Sequence, residues 1–203
     1  MTEVKVPARV DGRTARAERT RRAIVDAHLA LLGEGDLRPT GERIAQRAGV
    51  SLRALWTNFR DLETLFAASG QRLLERQQEQ FEPVPRDLPL PQRIEQFCRQ
   101  RARMLEIVAV GARAAQIREP FSPQLRRNRA KFIGLVRDEL EELFGAELDA
   151  AGDRRGEVLN GLLVICTWAG WSMLRDELGM DVDPACGVMT HTVSALLSDY
   201  AAD

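Results

Sequence analysis

The sequence predicts an all-α protein with two groups of helices. Apolar residues recur at spacings of three and four positions along most of the 203 residues, which is the period of an amphipathic α-helix. Runs of alternating apolar and polar residues, which are typical of half-buried strands, are not found in the sequence. Residues 83–91, PVPRDLPLP, contain four prolines in nine positions, which no helix interior tolerates. This segment therefore separates an N-terminal from a C-terminal group of helices.

The N-terminal elements follow from caps and glycines. Residues 1–14 have no usable periodicity and are predicted to form a flexible arm. A first helix is expected from about residue 15 to residue 32, followed by Gly33 and Gly35. Thr40 is a suitable N-cap for a short second helix that stops at Gly49. Ser51 and Asp61 similarly precede a third helix to about residue 59 and a fourth, linking helix over residues 62–81.

The C-terminal group is expected to contain five helices. They are placed near residues 91–109, 111–118, 124–144, 154–178 and 184–200, with a break at Pro120 and Pro123. His28, on the apolar stripe of the first helix, is expected to be a buried and hydrogen-bonded histidine rather than a pH sensor.

One apolar segment has the composition of a marginal membrane span. Residues 158–174 run for 17 positions without a charged side chain, which is at the lower limit for crossing a bilayer. Asn160, Gly161, Thr167 and Ser172 dilute this run, and there is no second one. We therefore expect no membrane role, and a helix that is buried in protein on more than one side.

The types of residue present argue against catalysis and against a metal site. The three cysteines, Cys98, Cys166 and Cys186, have no CxxC spacing, and the two histidines, His28 and His191, are too far apart for the usual zinc patterns. No Glu-x-x-His motif is present, so a helical-bundle metalloenzyme is disfavoured. With no apolar signal peptide at the N-terminus, the sequence predicts a reduced, cytoplasmic protein that is not an enzyme and has no cofactor.

Charge is distributed unevenly along the chain. The whole sequence has 29 Lys and Arg residues against 30 Asp and Glu residues, which argues against a generally polycationic nucleic-acid binder. Residues 1–60 carry 12 basic and 7 acidic residues, for a net charge of +5, whereas residues 61–203 carry 17 and 23, for a net charge of −6. This asymmetry favours a polyanionic partner that binds only the N-terminal region.

The segment AGVSLRALWTNF, residues 48–59, has the pattern of a recognition helix. Its apolar face is predicted to hold Leu52, Leu55, Trp56 and Phe59, and the opposite side carries polar residues, namely Ser51, Arg53, Thr57, Asn58 and Arg60. Two short helices joined by a tight turn fit a DNA major groove, which is about 12 Å wide. An ordinary solvated helix face is the alternative. The turn at Gly49, the local positive charge and an arginine cluster at positions 16, 19, 21 and 22 favour DNA.

Residues 16–66 resemble the DNA-binding region of the TetR/AcrR family of bacterial repressors. The resemblance lies in RRAIVDAHLALL and TGERIAQRAGVSLRALWTNFRDLETLF and covers about a quarter of the chain. It implies a helix-turn-helix DNA-binding domain over residues 15–61 and a helical effector-binding and dimerisation domain over residues 62–203. By the same resemblance the residues that contact DNA are Thr40, Ser51, Arg53, Trp56, Thr57 and Asn58, with Arg60 as a phosphate neighbour.

The sequence departs from the family pattern at four positions, one of which is His28, which replaces a small residue on the stripe of the first helix. Trp56 stands where the family usually has Tyr. The indole N–H is still one hydrogen-bond donor, but it extends differently from the backbone than a tyrosine hydroxyl does. Leu62 stands where a phosphate-binding Lys is common, and Arg60 is the expected substitute. Glu42 lies near the expected path of the DNA backbone and would repel phosphate unless it pairs with Arg43 or Arg38.

The resemblance also implies a small-molecule pocket in the C-terminal domain. The candidate lining residues are Cys98, Arg101, Met104, Leu105, Trp168 and Trp171. Arg101 interrupts an apolar stripe and could bind an anionic ligand, although an ion pair with a glutamate is favoured. The two tryptophans are neighbours on one helix surface, and a core or interface position is favoured over a ligand wall.

Together these observations predict a sequence-specific regulator that binds double-stranded DNA. The last two long helices are expected to form a homodimer that reads a near-palindromic operator, with half-sites roughly 34 Å apart. A small-molecule effector is expected to release this repressor from the operator. The alternative is an architectural or interaction protein that uses the helix-turn-helix without an effector.

Overall fold

The computed structural model describes residues 12–200. Within that range the protein is all-α, without any strand, as predicted. The α-helices are α1 (Gly12–Gly33), α2 (Gly41–Arg47), α3 (Leu52–Asn58), α4 (Leu62–Glu79), α5 (Leu90–Arg118), α6 (Pro123–Leu143), α7 (Gly145–Ala150), α8 (Arg155–Cys166), α9 (Trp168–Ser172) and α10 (Val182–Leu197). Residues 1–11 of the predicted arm lie outside the described range, and residues 12–14 belong to α1.

The chain divides into two compact units, Met1–Arg72 and Leu73–Asp203. The division falls inside α4, whereas the sequence placed the boundary at the start of the linking helix. In the N-terminal unit the core is formed by side chains with no exposed surface, namely Ile24, Ile44, Leu55, Phe59 and Leu65. His28 is also buried, and its Nδ1 lies 2.9 Å from the Ser69 hydroxyl in α4. The first part of α4 therefore completes the N-terminal unit.

Local capping sets the ends of α2 and α3. The Thr40 hydroxyl accepts a hydrogen bond from the Arg43 N–H at 3.3 Å, and the Ser51 hydroxyl accepts one from the Ala54 N–H at 3.1 Å. Between the two helices, Gly49 has a φ of +67°, a conformation that a Cβ atom disfavours. Caps and glycine together produce the predicted helix-turn-helix.

Helix α5 is one continuous helix of 29 residues, and the predicted division near residue 110 is wrong. Gly111, next to the predicted division, lies inside the helix. A Cβ at this position would lie 2.5 Å from Cδ1 of Leu73. The glycine therefore permits close packing of α5 against Leu73 instead of ending the helix.

Residues 154–178 form a bent segment, and the predicted single helix is wrong. After α8, Thr167 adopts an extended conformation (φ −107°, ψ 174°), and α9 runs into a π-helical turn over Met173–Glu177. The two halves are bent by 47°. At the bend, a Cβ on Gly170 would lie 2.4 Å from the backbone oxygen of Val164, so only glycine allows this return of the chain.

The apolar run is covered on one side by the protein. Leu162, Cys166 and Trp171 are fully buried, but the side chain of Val164 is 67% exposed. The expectation of burial on more than one side is therefore not met by the single chain. In the described part of the chain, no straight helix has the length and apolar character to cross a membrane, although the bent pair passes that test on length and composition.

The core of the C-terminal unit lies among α5, α6, α7, α8, α9 and α10. Its largest side chains with no exposed surface are Phe97, Leu140, Phe144, Leu148, Leu162 and Trp171. The short helix α7 has no counterpart in the sequence prediction, although it supplies the fully buried Leu148.

Candidate nucleic-acid interface

Two apolar side chains anchor α3 to the N-terminal unit. Leu55 and Phe59 have no exposed surface, whereas Leu52 and Trp56 are 36% and 40% exposed. The predicted apolar face of four residues is therefore only half buried. Its two outer apolar side chains lie at the surface beside the polar row.

Trp56 lies against the first residue of α2. A Cβ on Gly41 would come within 2.6 Å of Cζ2 of the indole, a separation that real Cβ atoms essentially never show. Gly41 is itself buried. The glycine therefore leaves room for the aromatic ring, and the ring closes the junction between α2 and α3.

The row of polar side chains on α3 lies at the surface. Ser51, Arg53 and Thr57 are all exposed. The Thr57 hydroxyl donates to the backbone oxygen of Arg53 at 2.8 Å. This bond fixes the orientation of the threonine side chain on α3. Across residues 12–200, no side chain is found in an ion pair or hydrogen bond with the Arg53 guanidinium. Its five donors are therefore available to an external acceptor.

Asn58 is held differently from Arg53. It is half-buried, and its Nδ2 donates to the backbone oxygen of Ala54 at 2.8 Å. Its own backbone oxygen accepts a hydrogen bond from Arg21 Nη1 at 2.7 Å, and the Arg21 guanidinium lies 4.2 Å from the centre of the Phe59 ring. Asn58 thus connects the end of α3 to α1, and one of its amide hydrogens is already committed.

Arg60 and Asp61 form the junction to α4. The Arg60 side chain is 88% exposed, and its Nε lies 3.1 Å from Oδ2 of Asp61. Asp61 caps α4 because its Oδ1 accepts hydrogen bonds from the N–H and the hydroxyl of Thr64, at 2.8 and 2.7 Å. These bonds, with a smaller contribution from Arg60, lower the pKa of Asp61. The carboxylate at this position offsets part of the positive charge of Arg60.

Glu42 has a role other than pairing with an arginine. Hydrogen bonds from its own backbone N–H and then from the Thr40 hydroxyl lower the pKa of Glu42. The nearby Arg43 instead forms an ion pair with Asp36 at 3.0 Å. Glu42 is therefore an exposed acidic residue in the first turn of α2.

Arg101 is buried and paired with Glu139 of α6. Its guanidinium donates to this carboxylate, which also accepts a hydrogen bond from Gln100 Nε2 at 3.2 Å. Burial lowers the pKa of Arg101. The ion pair is thus formed, as the sequence favoured, but the buried Nε of Arg101 has no hydrogen-bond partner among the described residues.

The two tryptophans of the C-terminal unit have different environments. Trp171 is fully buried, and its Nε1 donates to Oε1 of Glu106 at 2.7 Å. Trp168 is half-buried with the Arg113 guanidinium 5.5 Å from its ring centre. Its buried Nε1 has no hydrogen-bond partner within the described range. One indole N–H is therefore satisfied inside the protein and the other is not.

The remaining candidates for the ligand pocket are Cys98, Met104 and Leu105, and they do not all belong to the same cluster of buried side chains. Cys98 and Leu105 belong to the same core cluster as Trp171, and burial raises the pKa of the Cys98 thiol to about 12, so this thiol stays neutral. Met104 is buried outside this cluster, and its backbone oxygen accepts a hydrogen bond from Gln77 of α4 at 2.9 Å.

Sequence reasoning missed the polar network between α5 and the π-helical turn. Arg175 Nε lies 3.1 Å from the Glu106 carboxylate, and Arg113 makes a two-pronged ion pair with Asp176, with the shortest distance at 2.8 Å. These partners are separated by 69 and 63 residues, so no local spacing could indicate them. No group of three or more His, Cys, Asp and Glu side chains suited to a metal ion occurs in the described part of the chain.

Comparison of the sequence with protein-family models gives no match, and comparison with curated proteins gives none either. Two solved structures share the fold. One is a transcriptional regulator from Rhodococcus sp. Rha1, and the other is described as a TetR-family transcriptional regulator from Mesorhizobium loti. Each superposes with a TM-score of 0.68 and 18% sequence identity over 92% of this chain, and the match covers 98% and 99% of the respective neighbour. The chain therefore has a TetR-like fold over almost its whole length.

Proposed function

We propose that this protein is a TetR-family transcriptional regulator that binds double-stranded DNA through α3. The observation that carries the proposal is the geometry of α3, which Leu55 and Phe59 anchor from below while Arg53 and Thr57 face outward. A guanidinium with no partner in the described part of the protein suits the O6 and N7 acceptors of guanine. The positive charge of residues 1–60 supports the same partner.

The other candidate DNA contacts divide by how they are held. Ser51 is the exposed N-cap of α3, and the N-terminal end of a helix suits a phosphate oxygen. Arg60 reaches into solvent and is placed for a phosphate, and Trp56 offers one donor at the edge of the row. Thr40, Thr57 and Asn58 already make hydrogen bonds within the protein, so we rank them below Arg53 as base contacts.

The test is substitution of Arg53 followed by binding to DNA selected from a random library. Arg53→Ala should weaken binding to the selected sequence by about 1–3 kcal/mol and relax specificity at one position, because a base contact is lost. Arg99→Ala in α5 removes the same charge from an exposed residue of the other unit and should leave binding unchanged. If Arg53→Ala weakens binding to every sequence equally, Arg53 contacts only the DNA backbone.

We further propose that the protein acts as a homodimer through α8 and α10. Four large apolar side chains with exposed fractions from 37% to 67% lie on these helices, on the π-helical turn or directly after it: Val164, Met173, Leu178 and Val188. A second copy would cover them. Such a twofold dimer would place two α3 helices on a near-palindromic operator.

The substitution Val164→Asp tests the proposed interface. It should make the protein monomeric in sedimentation experiments, and a dimer that survives this change would contradict the proposed interface.

We also propose that the protein is a cytoplasmic repressor, and that binding of a small-molecule effector releases it from the operator. Two buried donors without a hydrogen-bond partner in the described range, Arg101 Nε and Trp168 Nε1, support a ligand that carries acceptors. A hundredfold loss of DNA affinity needs only about 2.8 kcal/mol of coupling. The effector proposal is tested by a screen for compounds that both raise the melting temperature of the protein and release it from DNA. The variant Trp168→Phe should no longer respond to such compounds in either measurement. A screen without such compounds favours a regulator without an effector.

A further inference from the structure

Helix α6 has an unusual distribution of charge along its length. Its first nine residues, 123–131, contain four basic side chains and no acidic one, whereas residues 138–142 contain four acidic side chains and no basic one. The helix dipole favours the opposite order, with acids near the N-terminus and bases near the C-terminus. The first turn of α6 indeed has no acidic residue, and its last turn has no basic residue. The stability of α6 itself therefore does not explain this pattern.

The exposed face of α6 carries this gradient as a single row. The face towards the core holds Leu125, Val136, Leu140 and Leu143, which are all buried. On the opposite side, the exposed residues at helical spacing are Arg127, Lys131, Leu135, Asp138 and Glu142, which we term the outer stripe. The order along the outer stripe is two positive charges, one leucine and two negative charges.

This order is self-complementary when two helices run in opposite directions. A twofold axis between residues 134 and 135 brings Arg127 opposite the second copy's residue 142, and Lys131 opposite the second copy's residue 138. The leucine at the centre is 45% exposed, and a Cβ added to Gly134 would meet no atom within 4 Å. Two helices can therefore approach closely at the centre while opposite charges meet on both sides of it. We propose that the outer stripe of α6 binds the outer stripe of a second copy in this antiparallel arrangement.

Contacts within the chain leave the stripe available for this interaction. Asp138 is exposed and has no ion-pair or hydrogen-bond partner among the described residues. Arg127 donates to the neutral side chain of Gln124 at 2.6 Å, so its charge is not neutralised there. Glu142 contacts Arg86 in a pair whose side chains are more than 60% exposed, and Lys131 has a contact of its own within the chain. The exposed pair of Glu142 and Arg86 contributes little stability, so Glu142 can exchange this partner at little cost.

The stripe predicts an association that is weak and sensitive to salt. Exposed ion pairs contribute little individually, and one helix pair buries less area than a stable dimer needs. At 0.5 M salt most of the attraction between these charges should be screened. The proposed interface on α8 and α10 is apolar and should not show this dependence. The two interfaces can therefore be recognised separately, and the association through α6 does not rest on DNA binding.

Charge reversal in the full-length chain, followed by sedimentation velocity, tests the proposal. The wild type should show a self-association step whose equilibrium constant falls about tenfold or more between low salt and 0.5 M salt. Lys131→Glu alone should weaken this step about tenfold, since like charges then face each other at two places, and Asp138→Lys alone should do the same. An equimolar mixture of the two variants should recover the wild-type step, because each new charge then faces its opposite.

Recovery in the mixture separates the proposed pairing from damage to the fold, since a misfolded chain cannot regain association by mixing. Arg103→Glu reverses an exposed charge on α5 and should leave the step unchanged. The proposal is overturned if no salt-dependent step exists at about 100 μM protein, or if the mixture associates as poorly as each variant alone. Val164→Asp should abolish the apolar dimer and leave the salt-dependent step, so the failure of one interface is distinguishable from the failure of the other.

Discussion

The capping side chains of α2 and α3 and the buried polar side chains of the C-terminal unit act over very different ranges. Around α2 and α3, Thr40, Ser51 and Thr57 bond to backbone atoms three or four residues away. In the C-terminal unit, by contrast, Trp171 bonds to a carboxylate 65 residues away, and Arg101 bonds to one 38 residues away. Local bonds stabilise each short helix individually, whereas the distant bonds join separate helices.

This difference indicates which kind of substitution should destabilise each unit most. Apart from the bond between Arg21 and the backbone oxygen of Asn58, the anchoring of α3 depends on Leu55 and Phe59, so the loss of one of these should loosen the helix. The bonds of Trp171 and Arg101 are half-buried, and removing one partner leaves the other without compensation. The first unit should therefore be most sensitive to apolar truncation, and the second to loss of a polar partner.

The largest effect is expected for Phe59→Ala. This side chain is fully buried beneath α3, and its truncation should lower the free energy of unfolding of the N-terminal unit by about 3–5 kcal/mol. Denaturant unfolding followed by circular dichroism measures the change. Leu52→Ala, at a position that is 36% exposed, is the matched control and should have a much smaller effect. Equal losses in both variants would contradict the proposed anchoring.

An intermediate effect is expected for the two tryptophans of the C-terminal unit. Trp171→Phe removes the N–H that donates to Glu106 and should destabilise the protein by about 1.5–3 kcal/mol, because a hydrogen bond to a charged group is lost. Trp168→Phe removes an N–H that has no partner in the described range and should leave stability nearly unchanged in the absence of ligand. Thermal unfolding of the two variants side by side measures the difference, and the reverse order would show that Trp168 has an internal partner.

The smallest effect is a pH dependence from Asp61. Because hydrogen bonds from Thr64 lower its native pKa below the ordinary value of 3.8, the folded state favours the ionised form. The resulting stabilisation is present above the unfolded pKa and is lost as the pH falls through the lowered native pKa. The difference in melting temperature between wild type and Asp61→Ala should therefore be larger at pH 6 than at pH 3. A difference that grows on acidification would contradict this cap.

The features that could be predicted from the sequence are the ones that depend on neighbouring residues. Thr40, Gly49 and Ser51 fix the helix-turn-helix through local caps and one positive φ, and the structure has all three as expected. The predicted division of α5 near residue 110 was wrong, because there the packing between distant elements decides. Gly111 lies inside a continuous α5 because Leu73 packs on it, and no local pattern distinguishes that use from a helix end.

The candidate interface divides in the same way. The exposure of Arg53 and Thr57 follows from their helical spacing, and that part was predictable. The half-buried position of Asn58 depends on Arg21, 37 residues earlier. Likewise the partner of Arg101 could be expected to be a glutamate, but only the packing of α5 on α6 selects Glu139. Residues whose environment is set by such distant contacts could be named as candidates, but their role could not be assigned.

The contrast among the three indoles gives the protein an internal optical reporter. Trp56 is 40% exposed on α3, whereas Trp171 is fully buried and Trp168 is half-buried in the other unit. A water-soluble quencher such as iodide should therefore extinguish mainly the red-edge emission that comes from Trp56. Any macromolecule that covers α3 would shield that emission and leave the blue-edge signal unaltered, so occupancy of this surface can be followed without attaching a dye.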